Sequence, residues 1–183
     1  MRIVAGLFKG RMLATPKGDT TRPTADRVRQ ALFDTLMHAD WGGRDLIVGA
    51  AVLDAFAGTG ALGLEALSRG AAHGYFFEQD PAAIVALKAN IAAFRAKASV
   101  HRDVMRPPRG PACTLAFLDP PYYDGLIEPA IAALRFGGWL KPGCVVVTET
   151  ARDEEPPALG EMLDQRRHGA ALMSIFRLGE ARG

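Results

Sequence analysis

A buried strand that breaks into a glycine turn and then a helix constrains this chain more than any other stretch. Residues 52–63 read V-L-D-A-F-A-G-T-G-A-L-G. An apolar run carries Asp54, Gly58 and Gly60 make a tight turn, and helix formers follow over 61–69. That succession belongs to an open α/β sheet, in which ligands bind outside the carboxyl ends of the strands.

Two ligand chemistries compete for such a turn. Gly58, Gly60 and Gly63 spell G-x-G-x-x-G and Glu78 follows about twenty residues later, the spacing of a dinucleotide fingerprint. Asp54 argues against it, because a carboxylate just ahead of the glycines repels a pyrophosphate. S-adenosylmethionine carries a sulfonium and an ammonium instead, and both are attracted to that carboxylate. The glycines let backbone approach the ligand closely. The plainer alternative is that Asp54 only caps the turn.

A second signature separates these alternatives. Asp119-Pro120-Pro121-Tyr122 follows the apolar run 114–118, so it leaves the carboxyl end of another strand on the same sheet edge. Adjacent prolines fix two φ angles and remove two donors, leaving a stiff segment with free carbonyls. Methylation of a planar exocyclic amine needs such a segment. Its nitrogen lone pair is delocalised into the ring, and its hydrogens must be held by acceptors as it becomes pyramidal. Asp119 and the Pro120 carbonyl supply acceptors, and Tyr122 supplies a ring to stack on the base.

With both signatures in place, the chain resembles a class I S-adenosylmethionine-dependent methyltransferase, and more narrowly the bacterial RsmD family. That family methylates N2 of a guanine in 16S ribosomal RNA. The resemblance runs over nearly the whole length: R-I-V-A-G at 2–6, K-G-R at 9–11, R-P-T-A-D-R-V-R-Q-A-L-F-D at 22–34, L-D-A-F-A-G-T-G-A-L-G-L-E-A-L-S-R-G-A at 53–71, and L-D-P-P-Y at 118–122. The R-P-T stretch separates this family from other D-P-P-Y enzymes.

The resemblance implies a Rossmann-like, mainly parallel seven-stranded sheet with a reversed C-terminal strand, helices on both faces and a small N-terminal β-hairpin. It implies a cofactor site of Asp54, Phe56, Gly58, Gly60, Glu78, Gln79 and Asp103. Glu78 is expected to accept the ribose hydroxyls and Asp103 the adenine amino group. In the catalytic loop, Asp119, Pro120, Pro121 and Tyr122 would hold the base. Arg106-Pro107-Pro108-Arg109-Gly110-Pro111 departs from the family, replacing what is more often a short helix.

Bulk properties fit. The chain has 183 residues, 49% of them hydrophobic, enough for one core. No apolar run reaches a membrane span and no signal-peptide core is present, so a cytoplasmic protein is expected. Cys113 and Cys144 stand apart without a C-x-x-C, and no histidine pair has ligand spacing. Both cysteines are expected to be buried hydrophobes, and no metal is expected.

The net charge of +2 is unevenly spread. The first thirty residues hold seven basic and two acidic side chains, and the remainder nets −3. A basic arm on a nearly neutral body is an electrostatic footprint for a polyanion. Arg2, Lys9, Arg11, Arg22, Arg27 and Arg29 are therefore expected to contact RNA backbone, with residues 1–23 as a basic arm and 24–183 as the methyltransferase domain.

Coarse structure follows from periodicity and punctuation. A hairpin over 1–14, standing off the main sheet, precedes a loop over 15–23. A helix capped by Thr24 then shows an apolar face of Val28, Ala31, Leu32, Leu36 and Met37. Strands are expected at 52–56, 74–77, 98–101, 114–118 and 145–148, and a terminal antiparallel hairpin over 161–166 and 170–178. Asp80 is expected to cap a helix that opens at Pro81.

The expected chemistry is a metal-free in-line transfer to an extruded guanine. The expected partner is 16S rRNA in an assembled or assembling small subunit, met by a monomer. Adenine-N6 or cytosine-N4 methylation of DNA, glutamine-N5 methylation of protein, and a non-catalytic RNA-binding module are the alternatives.

Overall fold

In a computed structural model, the structure describes residues 1–16 and 23–180. Seven strands form one sheet in the order β3-β2-β1-β4-β5-β7-β6. These are β1 Ala51–Ala55, β2 His73–Phe77, β3 Ala98–His101, β4 Cys113–Leu118, β5 Leu140–Ala151, β6 Gly160–His168 and β7 Ala171–Leu178. The first five pair in parallel, while β7 inserts antiparallel between β5 and β6. The expected reversed strand is therefore present.

Four helices cover the sheet: α1 Pro23–His38, α2 Ala61–Ser68, α3 Pro81–Phe94 and α4 Ile127–Phe136. On one face Leu32, Phe33 and Leu36 of α1 and Ala66 of α2 pack on Val52, Leu115, Phe117 and Val147. The other face receives Ile127, Ala130, Ile131 and Leu134 of α4, with Trp139, against Leu53, Ala116 and Val146. Near-continuous apolar strands such as Val145 to Val147 are what burial on both faces requires. Asp80 caps α3 as expected, its carboxylate accepting from Ala82 and Ala83 at 3.1 Å. α1 begins at Pro23, ahead of the expected cap Thr24, since proline is preorganised for a first helical turn.

The N-terminal segment is a short hairpin, with Arg2 and Met12 in an antiparallel bridge and Ile3 bonded to Arg11, Gly10 to Ile3 and Leu13 to Met1, but it does not stand off the body. Ile3, Phe8 and Leu13 are buried against Leu64 and Leu67 of α2 and Leu87 and Phe94 of α3. Burying those three side chains holds the hairpin down on the two helices. The Pro-rich stretch 106–111 also has a structural role. Trp139 is 1% exposed and donates its indole N–H to the Pro108 carbonyl at 2.7 Å, which fastens the stretch over the core.

Strand order reverses between β1 and β4, whose neighbours β2 and β5 lie on opposite sides. The crevice beyond their carboxyl ends is where this architecture places a ligand.

Candidate active site

That crevice is a cleft of about 560 Å³ lined by Phe56, Glu78, Gln79, Arg102, Asp119 and Tyr122 among others. Behind its lining lies the glycine turn, held between two carboxylates. Asp54, 3% exposed near the end of β1, accepts the Gly63 N–H at 2.9 Å. Glu78, just past β2, accepts from Gly58 at 2.7 Å and from Gln79 and Asp80 at 2.8 Å. Gly60 caps α2 at φ 84, in the left-handed region that favours glycine. At Gly63 a Cβ would lie 2.4 Å from the Phe76 ring, so the third glycine serves packing.

Of the expected cofactor residues, Phe56, Glu78 and Gln79 line the cleft, whereas Asp54, Gly58 and Gly60 do not and lie behind that lining. Asp103 turns away. Its carboxylate accepts from the Met105 N–H at 2.9 Å and lies 3.9 Å from Arg106, while its neighbours Arg102 and Val104 face the cleft. The carboxylate expected to meet the adenine therefore does not line the cleft, and one of its oxygens is engaged by its own turn.

The D-P-P-Y loop forms the opposite wall and separates the cleft from a second one of about 350 Å³. Pro120, Pro121, Tyr122 and Glu149 line both. The Tyr122 hydroxyl donates to Glu149 Oε1 at 2.6 Å, and the Tyr123 N–H donates to Glu154 at 3.0 Å. With the Tyr123 hydroxyl donating to Asp153 at 2.9 Å, three anchors tie the loop to the end of β5 and the residues after it. Sequence analysis missed Glu149. Its only signal is its place after the β-branched run 145–148, where another strand reaches the same edge.

Glu78, Asp80, Asp119 and Glu149 line the cleft against one base, Arg102, so acidic groups predominate there. Asp119 is open to the cleft yet surrounded by protein on its other sides. That burial, reinforced by the charges of Glu149 and Asp54, raises its pKa to about 8. Burial also raises Asp54 to about 7, with the Gly63 N–H opposing and the Glu78 charge assisting. A pyrophosphate would be repelled here and a cation attracted. The donor set therefore fits a sulfonium and ammonium ligand.

The Asp54 shift has a stability consequence whose sign is fixed. With a folded pKa above the unfolded value, the folded state holds the extra proton between about pH 4 and 7, so stability falls as pH rises through that window. Asp54→Asn keeps an acceptor for Gly63 but carries no charge. It is expected to be more stable than the parent by on the order of 2 kcal/mol at pH 8, with the gain vanishing by pH 4. Urea unfolding at both values checks this, and an unchanged difference between them would contradict it.

The basic residues divide. Arg2, Lys9, Arg11 and Arg27 are exposed, with Arg2 paired to Asp26 at 3.4 Å and the Arg11 guanidinium 4.7 Å over the Phe94 ring. Arg29 is corrected: it is 4% exposed, paired with Asp26 at 2.9 Å and with Glu65 at 3.5 Å, and cannot reach a backbone phosphate. Arg22 lies outside the described residues. Cys113 and Cys144 are buried and free, their thiols pushed up to about 12 by burial. Among the described residues no cluster of metal-ligating side chains occurs, and no helix is long and apolar enough to cross a membrane.

Comparison with known proteins agrees with this geometry. The Haemophilus influenzae protein named ribosomal RNA small subunit methyltransferase D is 36% identical over 162 residues, covering 84% of this chain and 80% of that one. Its Escherichia coli counterpart is 36% identical over 182 residues, covering 97% of this chain and 88% of that one. A solved Escherichia coli structure described as a methyltransferase, yhhF, superposes with a TM-score of 0.82 at 34% identity, covering 98% of both chains. The profile of the family described as Conserved hypothetical protein 95 matches residues 1–177. The chain therefore belongs to that family, the RsmD family of methyltransferases.

Proposed function

We propose that this protein methylates the exocyclic N2 of a guanine in 16S rRNA, using S-adenosylmethionine, and that it meets its target as a monomer on an assembled or assembling small subunit. The observation that carries this is the D-P-P-Y loop standing as a partition between two clefts, one acidic and backed by a glycine turn, the other beside Tyr122. Two substrates that exchange one group across a short gap need that layout.

S-adenosylmethionine supplies an electrophilic methyl group when bound. Phe56, Glu78 and Gln79 would hold it, with Asp54 drawing its cationic end from behind them. Asp119 and the Pro120 carbonyl accept the amine hydrogens, orienting the nitrogen lone pair toward the larger cleft. Tyr122, held by Glu149, presents its ring to an extruded base. Alignment carries most of the rate, because the alkylated amine is acidic and sheds its proton readily. Arg2, Lys9, Arg11 and Arg27 would meet phosphates and make affinity fall with salt.

The test is transfer of a labelled methyl group to unmodified small subunits, naked 16S rRNA, duplex DNA and protein extract. Label recovered as N2-methylguanosine from the subunit supports the proposal. Label on DNA or protein would retain the chemistry and overturn the substrate.

A further inference from the structure

The smaller cleft suits a ligand that the larger one does not. Glu128, Glu149, Glu154 and Glu155 line it, and no lysine or arginine does. Glu154 is occupied by backbone, accepting from Tyr123 at 3.0 Å and from Ala151 at 2.7 Å. Glu149 keeps capacity. Its Oε1 accepts from Tyr122, and among the described residues no other hydrogen bond reaches its carboxylate. Thr150 beside it is 7% exposed and lines the same cleft, with a hydroxyl that has no partner. A phosphate is repelled by such a wall. What fits is a flat neutral group with N–H donors along one edge.

Nucleobases differ at that edge. Guanine presents N1–H directly beside its N2 amino group, two donors in a row. Adenine and cytosine place a ring-nitrogen lone pair beside their amino group, which a carboxylate repels. We infer that Glu149 selects guanine by accepting N1–H, while the N2 amino group reaches Asp119 past the partition. This rests on the guanine reading above. The register Leu118↔Thr148 supports it, since it sets Asp119 and Glu149 one residue past paired positions on adjacent strands. Tyr122 occupies one carboxylate oxygen and fixes the other, which suffices for a single donor.

The test compares two substrates: subunits whose methylated position, mapped in the transfer assay, carries guanine or 2-aminopurine. The analogue keeps the N2 amino group but has a lone pair at N1. Wild type is expected to prefer guanine by about tenfold or more in kcat/KM, the worth of a hydrogen bond to a charged acceptor. Glu149→Gln, whose amide donates to that lone pair, is expected to bring the ratio within about threefold while S-adenosylhomocysteine affinity holds within about threefold. Equal losses on both substrates would overturn the inference and leave Glu149 acting only on Tyr122. Equal rates by wild type would overturn it whether or not the variant folds. Failure of wild type to label guanine at all would instead overturn the function proposed above, and this inference with it.

Discussion

Asp119→Asn is expected to lower methyl transfer by about a thousandfold or more, while S-adenosylhomocysteine binds within about threefold of wild type. Asparagine keeps one acceptor but turns an N–H toward the amine, so a contact that aligned the lone pair becomes one that opposes it. Phe56, Glu78 and Gln79, proposed above to hold the cofactor, are untouched by the substitution. The pH profile sharpens the expectation. Burial and the Glu149 charge hold a proton on Asp119 up to about pH 8, and the protonated group keeps only one oxygen to accept with while its O–H opposes the amine. Wild-type kcat/KM should rise with pH and level off above about 8, a limb shared by Asp119 and Asp54. A bound cation lowers these pKa values, so the limb in kcat should lie at lower pH. In the variant the Asp119 limb disappears. Retention of a tenth of the activity, or a hundredfold loss of S-adenosylhomocysteine affinity, would contradict the role.

The parts of this site that could be read from sequence are those whose chemistry is local. The glycine turn, the carboxylates ending β1 and β2, and the D-P-P-Y loop each declare themselves within a few residues, because strand, turn and helix cap are short-range structures. Glu149 could not be found that way. Tyr122 meets it 27 residues further along the chain, and only the parallel register of β4 on β5 brings them together. Arg29 failed for a related reason. On a helical wheel it is one more polar residue near the start of α1, and its burial follows from Glu65, a charge inside the apolar run of α2 that has to be neutralised. Asp103 shows the limit of position as evidence, since it follows its strand as expected yet does not line the cleft.

Glu65→Gln is expected to cost about 3–5 kcal/mol, because a fully buried carboxylate that serves two guanidinium groups is then missing. Glu65 accepts from Arg69 Nε at 2.9 Å and lies 3.5 Å from Arg29 Nε, and both arginines are themselves almost wholly buried. The same carboxylate accepts the backbone N–H groups of Val4 at 2.9 Å and Ala5 at 3.1 Å. The N-terminal arm is thus fastened to α2 through a buried charge rather than through a strand ladder. For a domain of this size the loss corresponds to a fall in Tm of roughly 10 °C, measurable by calorimetry. Amides of Val4 and Ala5 should exchange faster by a larger factor than those of β1 and β4. A loss below about 1 kcal/mol would show that water reaches the two arginines once the charge is gone. The arm also runs on to Ala14, which Asn90 bonds through both backbone groups while donating to the Thr59 carbonyl in the glycine turn at 3.0 Å. Loosening the arm therefore removes support from the glycine turn behind the cleft, and the variant's KM for S-adenosylmethionine, the cofactor proposed above, should rise even at temperatures where it remains folded.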